Sequence, residues 1–237
     1  AVIRGSAVAQ DGRSAGMTAP DCQAQKRVLS EALARAGVPG SAVEYVETHG
    51  SGTALGDPIE VEALASVYGQ PDDGGATCKL GAVKSNIGHT EAAAGVAGLI
   101  KAVLTLVHES IPANLHCERL NPNLPLAGTR LQVAQDAASW LRRDGKPRLA
   151  AVSSFGLSGT NAHLLLQEGP RPIGAAPDEN LAGILPVSAK SPQALQEMAE
   201  RYADWLERAG RPPLGDVFYT AGERSSHHAV RMAVVGR

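Results

Sequence analysis

Twice in this chain a short apolar run enters a polar, glycine-bearing turn, and each time a helical pattern follows. The first case is VEYVETHGSGT, from Val43, ahead of GDPIEVEALASVYG. The second is KLGAVKSNIGH, ahead of a small and apolar run from about Thr90 to Glu109. Strands alternating with helices in this way restrict a chain to a layered α/β fold. AVIRGSAV, LQVAQ, LAAVSSFG and NAHLLLQE supply further strand patterns. Residues 20 to 36 predict a helix through Val28, Leu29, Ala32, Leu33 and Ala36, stopped by Gly37 and Pro39. In GDPIEVEAL, Asp57 is a cap, Pro58 suits the first helical position, and Glu60 falls three after the cap. The run from Thr90 to Glu109 is apolar almost all round, which predicts an interior helix.

A Pro/Gly-rich connector, GPRPIGAAPDEN, occupies residues 169–180. The pattern then restarts. LPVSA reads as a strand, Ser191 as a cap with Pro192 behind it, and Leu195, Met198, Tyr202 and Leu206 as one helical face ended by Gly210. RMAVVGR reads as a last strand. The expected organisation is a main unit over 1–168, the connector, and a small, incomplete α/β unit over 181–237.

At 237 residues the chain can bury a substantial core, and with aromatics at 3% that core must be Ala, Val, Leu and Ile. So few aromatics argue against a stacking platform for single-stranded nucleic acid, and a net charge of −2 points to neither nucleic acid nor membrane. Cys22, Cys78 and Cys117 are widely spaced without a CxxC, so neither a disulfide framework nor a zinc site is expected. The most apolar run, 92–107, contains Lys101 and is short for a bilayer. These features, with no signal peptide, predict a soluble cytoplasmic protein. Because AVIRGSAV reads as a strand at once, Ala1 reads as an internal cut point.

Chemistry concentrates in the turns. His49 opens a loop of two glycines and two hydroxyls, Gly50-Ser51-Gly52-Thr53, at a strand's C-terminal end, where α/β folds place their clefts. A turn around a buried, satisfied histidine fits that segment equally well. His89 follows the second Gly turn, five residues after Lys84; a capping histidine beside a solvated lysine also fits. The pair carries more weight than either alone. Two imidazoles donating from Nε2 can hold one thioester or carboxylate oxygen and stabilise a developing enolate. No third ligand at a telling spacing accompanies them, so no metal is expected. SSFGLSGTNAH forms a third polar turn, whose backbone N–H groups suit an oxyanion hole. Its GLSGT is not a GxSxG elbow. His163 falls within a strand and reads as structural, as do the three cysteines.

VETHGSGTALGDPIEVEAL, KSNIGHTEAAAGVAGLIKAVL and SSFGLSGTNAHLLLQE together resemble the three C-terminal motifs of β-ketoacyl synthases, most closely the ketosynthase domains of modular type I polyketide synthases. GSAVAQDGRSAGMTAP resembles the stretch before them, and residues 181–237 resemble the linker domain between ketosynthase and acyltransferase. The resemblance implies a thiolase-like fold, here its C-terminal half, with a small α/β linker domain. It implies decarboxylative Claisen condensation of an enzyme-bound acyl thioester with a malonyl-type unit. His49 and His89 would be the family's two histidines and Lys84 its lysine. Ser51 and Thr53 would bind the phosphopantetheine arm, with Ser51 standing where threonine is usual. Phe155 and Leu157 would form the oxyanion and gating loop, with leucine where an aromatic or isoleucine is common.

The family's nucleophilic cysteine belongs to a DTACSSS-like elbow, and no such segment occurs here. The resemblance therefore implies a C-terminal half that is inactive alone and exposes an apolar face without its N-terminal mate. Expected partners are that half, an acyl carrier protein bringing substrate on phosphopantetheine, a neighbouring acyltransferase and a second copy in a homodimer. No cofactor is expected on this chain itself. Two other readings remain: a non-elongating acyl-transfer or decarboxylating domain, and a non-catalytic scaffold docking a carrier protein through Arg201, Arg208, Arg211 and Arg224.

Overall fold

The computed structural model describes residues 1–12, 16, 20–71, 76–170, 182–208, 210 and 212–236. The chain divides into two compact units, residues 1–170 and 171–237. Most of the connector expected over 169–180, part of the GSAVAQDGRSAGMTAP stretch, and Arg211 lie outside the described residues.

The first unit runs β1 (Val2–Gln10), α1 (Cys22–Ala36), β2 (Val43–Glu47), α2 (Gly56–Tyr68), β3 (Cys78–Gly81), α3 (Lys84–Ile87), α4 (Ala94–Val107), β4 (Ser110–Ile111), β5 (Leu131–Val133), β6 (Ala138–Ser139), β7 (Leu149–Phe155) and β8 (Thr160–Gln167). Six strands make one sheet in the order β1-β8-β7-β2-β3-β5. β7, β2, β3 and β5 are parallel, and β8 and β1 join antiparallel. The short β4 and β6 pair separately.

A parallel centre must be covered on both faces. β2 is accordingly buried at all five residues, both glutamates included. α1 and α2 cover one face, packing Val28, Leu29, Leu33 and Leu64 against Val46 and Leu165. α4 covers the other, where Ala102 and Leu106 meet Tyr45, Val152 and Leu166. α1 starts where the Asp21 side chain accepts the Ala24 N–H at 2.6 Å and ends at Gly37, whose φ of 67° closes the helix.

Three expectations need correction. Asp57 and Glu60 do not cap α2: Asp57 lies inside its first turn, and both side chains reach outward to the preceding loop. Residues 84–87 form the single helical turn α3 rather than an open turn. The interior helix expected over Thr90–Glu109 is α4 after a 3-10 turn at Glu91–Ala93, and it is interior on one face alone. On its other face Val96, Ile100, Leu104 and Val107 stand 48–59% exposed, so half of the all-round apolar pattern has no cover among the described residues.

The second unit consists of β9 (Gly183–Ala189), α5 (Pro192–Leu206), α6 (Leu214–Tyr219) and β10 (Val230–Gly236). β9 and β10 pair antiparallel, over a core of Leu185, Val187, Val217 and Ala221. Ser191 caps α5, its Oγ accepting the Ala194 N–H at 3.2 Å. The helix ends at Leu206, short of Gly210, and the six-residue α6 is too short to carry a clear periodic signal. Among the described residues no helix is long and apolar enough to cross a membrane.

Candidate active site

Three connections meet beyond the C-terminal ends of parallel strands β2, β3 and β7, the edge at which α/β sheets bind ligands. His49 lies two residues past β2, α3 and His89 follow β3, and the turn 156–159 follows β7. They enclose a cleft of about 430 Å³ whose lining includes His49, Ser51, Thr53, His89, Phe155 and Leu157. The two imidazoles stand edge to face with centroids 5.5 Å apart, and the Phe155 ring lies 5.7 Å from His49.

Both rings are oriented through Nδ1. The Phe155 N–H donates to Nδ1 of His49 at 3.4 Å, and the Glu91 N–H to Nδ1 of His89 at 2.9 Å. A neutral imidazole whose Nδ1 accepts carries its proton on Nε2. Both rings thus have an Nε2–H donor. Burial, then the charge of Lys84 and proximity of His89, lower His49 to about 4, so it is neutral throughout the physiological range. Glu91 takes φ 50°, a left-handed conformation costly for a non-glycine residue, and that conformation goes with the N–H contact to His89.

The His49 loop is held from behind. Gly50 and Gly52, at φ 47° and 72°, adopt turns open mainly to glycine. Glu60 accepts the N–H of His49 at 2.7 Å and of Gly50 at 2.9 Å, and Asp57 accepts that of Gly52 at 3.1 Å. Burial pushes Glu60 up to about 7 against the pull of those two bonds, and it raises Asp57 as well. Lys84 does not line the cleft. Its ammonium donates to the His49 carbonyl and faces a second cavity behind the loop. Desolvation lowers the Lys84 pKa, opposed by Glu60, Glu47 and Asp57. Ser51 and Thr53 hydroxyls are exposed and 3.3 Å apart, and Thr53 also accepts the Gly56 N–H. Leu157 is 78% exposed at the tip of the third turn.

Sequence patterns assign Asp57 and Glu60 to capping and do not single out Glu47 or Asn114. Asn114 accepts the Ala82 N–H at 2.8 Å and donates to the Leu80 carbonyl, fixing the approach to α3. The available signal is a charged residue inside an otherwise apolar segment: Glu47 in VEYVE and Glu60 in IEVEAL. His163 lies in the core, 2.6 Å from the Tyr68 hydroxyl and 3.0 Å from that of Ser153, with burial lowering it to about 3. Burial pushes the Cys78 thiol up to about 12 and raises Cys22 and Cys117. Among the described residues no group of three His, Cys, Asp or Glu is placed to hold a metal ion.

Two family models match: "Beta-ketoacyl synthase, C-terminal domain" over residues 1–118 and "Ketoacyl-synthetase C-terminal extension" over 121–235. A mycocerosic acid synthase-like polyketide synthase of Mycolicibacterium smegmatis is 46% identical over 248 residues, covering 99% of this chain and 12% of that protein. Erythronolide synthase EryA3 of Saccharopolyspora erythraea is 46% identical over 237 residues, covering 100% of this chain and 7% of that protein. The chain therefore spans a small part of the length of such relatives. A solved ketosynthase from module 6 of the bacillaene synthase of Bacillus subtilis 168 superposes with a TM-score of 0.71 at 36% identity, over 99% of this chain and 40% of that one.

Proposed function

We infer the function of this chain from its family: it belongs to the β-ketoacyl synthases, as the C-terminal portion of a ketosynthase domain with the ketosynthase–acyltransferase linker of a modular polyketide synthase. Within the complete domain it supports decarboxylative condensation. The observation that carries this reading is the pair of Nε2–H donors, His49 and His89, facing one cleft with their Nδ1 atoms engaged by backbone N–H groups.

A malonyl thioester bound there places its carbonyl oxygen between the two Nε2–H groups. As the bond to the carboxylate carbon breaks, CO2 leaves and its electron pair passes into the thioester. The oxygen becomes an enolate, and the two donors, fixed beforehand, stabilise it. The enolate carbon then attacks an acyl thioester on the cysteine of the N-terminal half, forming the new carbon–carbon bond and releasing the thiolate. Neutrality of His49 matters here, because only the neutral ring accepts the Phe155 N–H at Nδ1 while donating from Nε2. Lys84 acts through the loop, by holding the His49 carbonyl. Ser51 and Thr53 offer hydroxyls to the phosphopantetheine arm at the cleft mouth, and Leu157 with Phe155 borders the acyl side. The open face of α4 receives the N-terminal half. The acyl carrier protein, the acyltransferase and a second copy complete the assembly.

The test uses the full polypeptide. Intact mass after incubation with an acyl thioester should show one acyl group on the N-terminal half, and addition of malonyl carrier protein should yield the β-ketoacyl product. Acyl transfer without elongation would replace this reading with a non-elongating domain, and absence of any acyl uptake would leave the scaffold reading.

A further inference from the structure

A single carboxylate joins the end of the strand before His49, the residue before Lys84, and α4, the helix that follows His89. Glu47 is the last residue of β2, two before His49, and is 1% exposed. Two hydrogen-bond donors and one ammonium converge on it. The Val83 N–H reaches Oε1 at 2.5 Å, the Tyr45 hydroxyl reaches Oε2 at 2.5 Å, and Lys101 Nζ lies 2.9 Å from Oε2. Val83 immediately precedes Lys84 at the start of α3, and Lys101 lies in α4, the helix that follows His89. The Lys101 contact is an ion pair without hydrogen-bond alignment: its nitrogen is buried and has no hydrogen-bond partner among the described residues. Its ammonium also lies 5.9 Å from the Tyr45 ring centroid. Gly98 lets α4 close onto the strand, since a Cβ there would stand 3.1 Å from Glu47 Cγ.

Glu47 does not line the cleft and takes no part in the chemistry above. A buried ion pair is a poor source of stability, because desolvating both charges offsets their attraction. What this pair does have is geometry. It references the first turn of α3 and the middle of α4 to the end of a fully buried strand. We propose that Glu47, paired with Lys101, is a positioning residue that sets where Lys84 and His89 stand relative to His49. This rests on the reading that those three residues serve decarboxylation.

The test again uses the full polypeptide, with two variants. Glu47→Gln keeps the shape but offers one acceptor oxygen to two hydrogen-bond donors and one ammonium, so a donor or the ammonium must face the amide nitrogen. Glu47→Leu combined with Lys101→Met removes both charges, leaves none unpaired, and deletes the tie to Val83. In each, acyl uptake by the N-terminal half is measured beside CO2 release from a malonyl thioester. The expected result is uptake near the parental extent, KM within about twofold, and decarboxylation slower by about tenfold or more, as small misplacements of reacting groups produce. Decarboxylation within about twofold of the parent, per acylated site, would overturn the proposal. Parallel loss of uptake and decarboxylation in both variants marks Glu47 as structural and overturns it too. A parental polypeptide that takes up acyl groups but releases no CO2 refutes the underlying reading instead.

Discussion

Glu60→Gln probes how the His49 loop is held. The carboxylate accepts the His49 N–H at 2.7 Å on one oxygen and the Gly50 N–H at 2.9 Å on the other. Glutamine has one carbonyl oxygen, so its NH2 must face the second N–H and one bond is lost. A hydrogen bond to a charged group contributes about 1.5–3 kcal/mol. If about half of that is felt in the transition state, the barrier rises by about 1.1 kcal/mol, or about sixfold in rate. The same bond weakens in the parent when Glu60 takes up a proton, which burial brings to about 7. His49, lowered to about 4, does not titrate in that range. CO2 release from a malonyl thioester by the full polypeptide should therefore fall from about pH 8 to about pH 6. Its midpoint should lie near the Glu60 value, about 7. The Gln variant should show the lower rate at every pH, with no such limb. A variant that keeps the limb assigns the titration to another group, and a variant with the parental rate shows that the Glu60 contacts do not reach the chemistry.

The same carboxyl predicts a stability effect. Folding raises Glu60 from 4.5 to about 7, so its contribution is most favourable below 4.5 and is lost as pH rises through about 7. At about 1.4 kcal/mol per unit the loss is about 3 kcal/mol; denaturant midpoints across this range should show it in the parent and not in Glu60→Gln, and equal slopes contradict it. Gly98→Val drives a side chain toward Glu47 Cγ and Val152 Cγ1, 3.1 and 3.5 Å from the Cβ position. It should cost about 1–3 kcal/mol by chemical denaturation, and an unchanged midpoint would show that α4 can lift freely. Residues 1–237 expressed alone should self-associate in size-exclusion chromatography with light scattering, because Ile87, Val96, Ile100, Leu104 and Val107 form an apolar face left uncovered by the described residues. A monodisperse monomer speaks against that. Ser191→Ala should lower stability by about 1 kcal/mol while leaving CO2 release unchanged, and a parental melting temperature would deny the cap its role.

Much of the architecture is legible in the sequence because local patterns and tertiary demands agree. α1 shows its apolar stripe and its closing Gly37 in the sequence, and the structure uses both, adding Asp21 as the cap. His49 and His89 are legible as a pair because two strand–turn–helix units repeat, and parallel strands bring such turns to one sheet edge. What stays hidden depends on partners distant in sequence. GDPIE satisfies a capping pattern, yet the buried Glu60 carboxylate turns to the N–H groups of His49 and Gly50, which supply its hydrogen bonds. α4 is apolar all round, and periodicity cannot say which stripe meets the sheet. Gly98, Ala102 and Leu106 meet it because Gly98 and Ala102 are small enough to let the helix approach Glu47 and Val152. Lys84 reads as a site cation, but only the structure shows that it reaches the His49 carbonyl rather than the cleft.

The most direct test of the central claim is CO2 release from a malonyl thioester by the full polypeptide carrying His49→Ala or His89→Ala. Acyl uptake by the N-terminal half is followed in parallel. If both imidazoles donate to the developing enolate, either variant should lower decarboxylation by about 10²–10³-fold while acyl uptake persists. Decarboxylation at the parental rate in either variant would contradict the account.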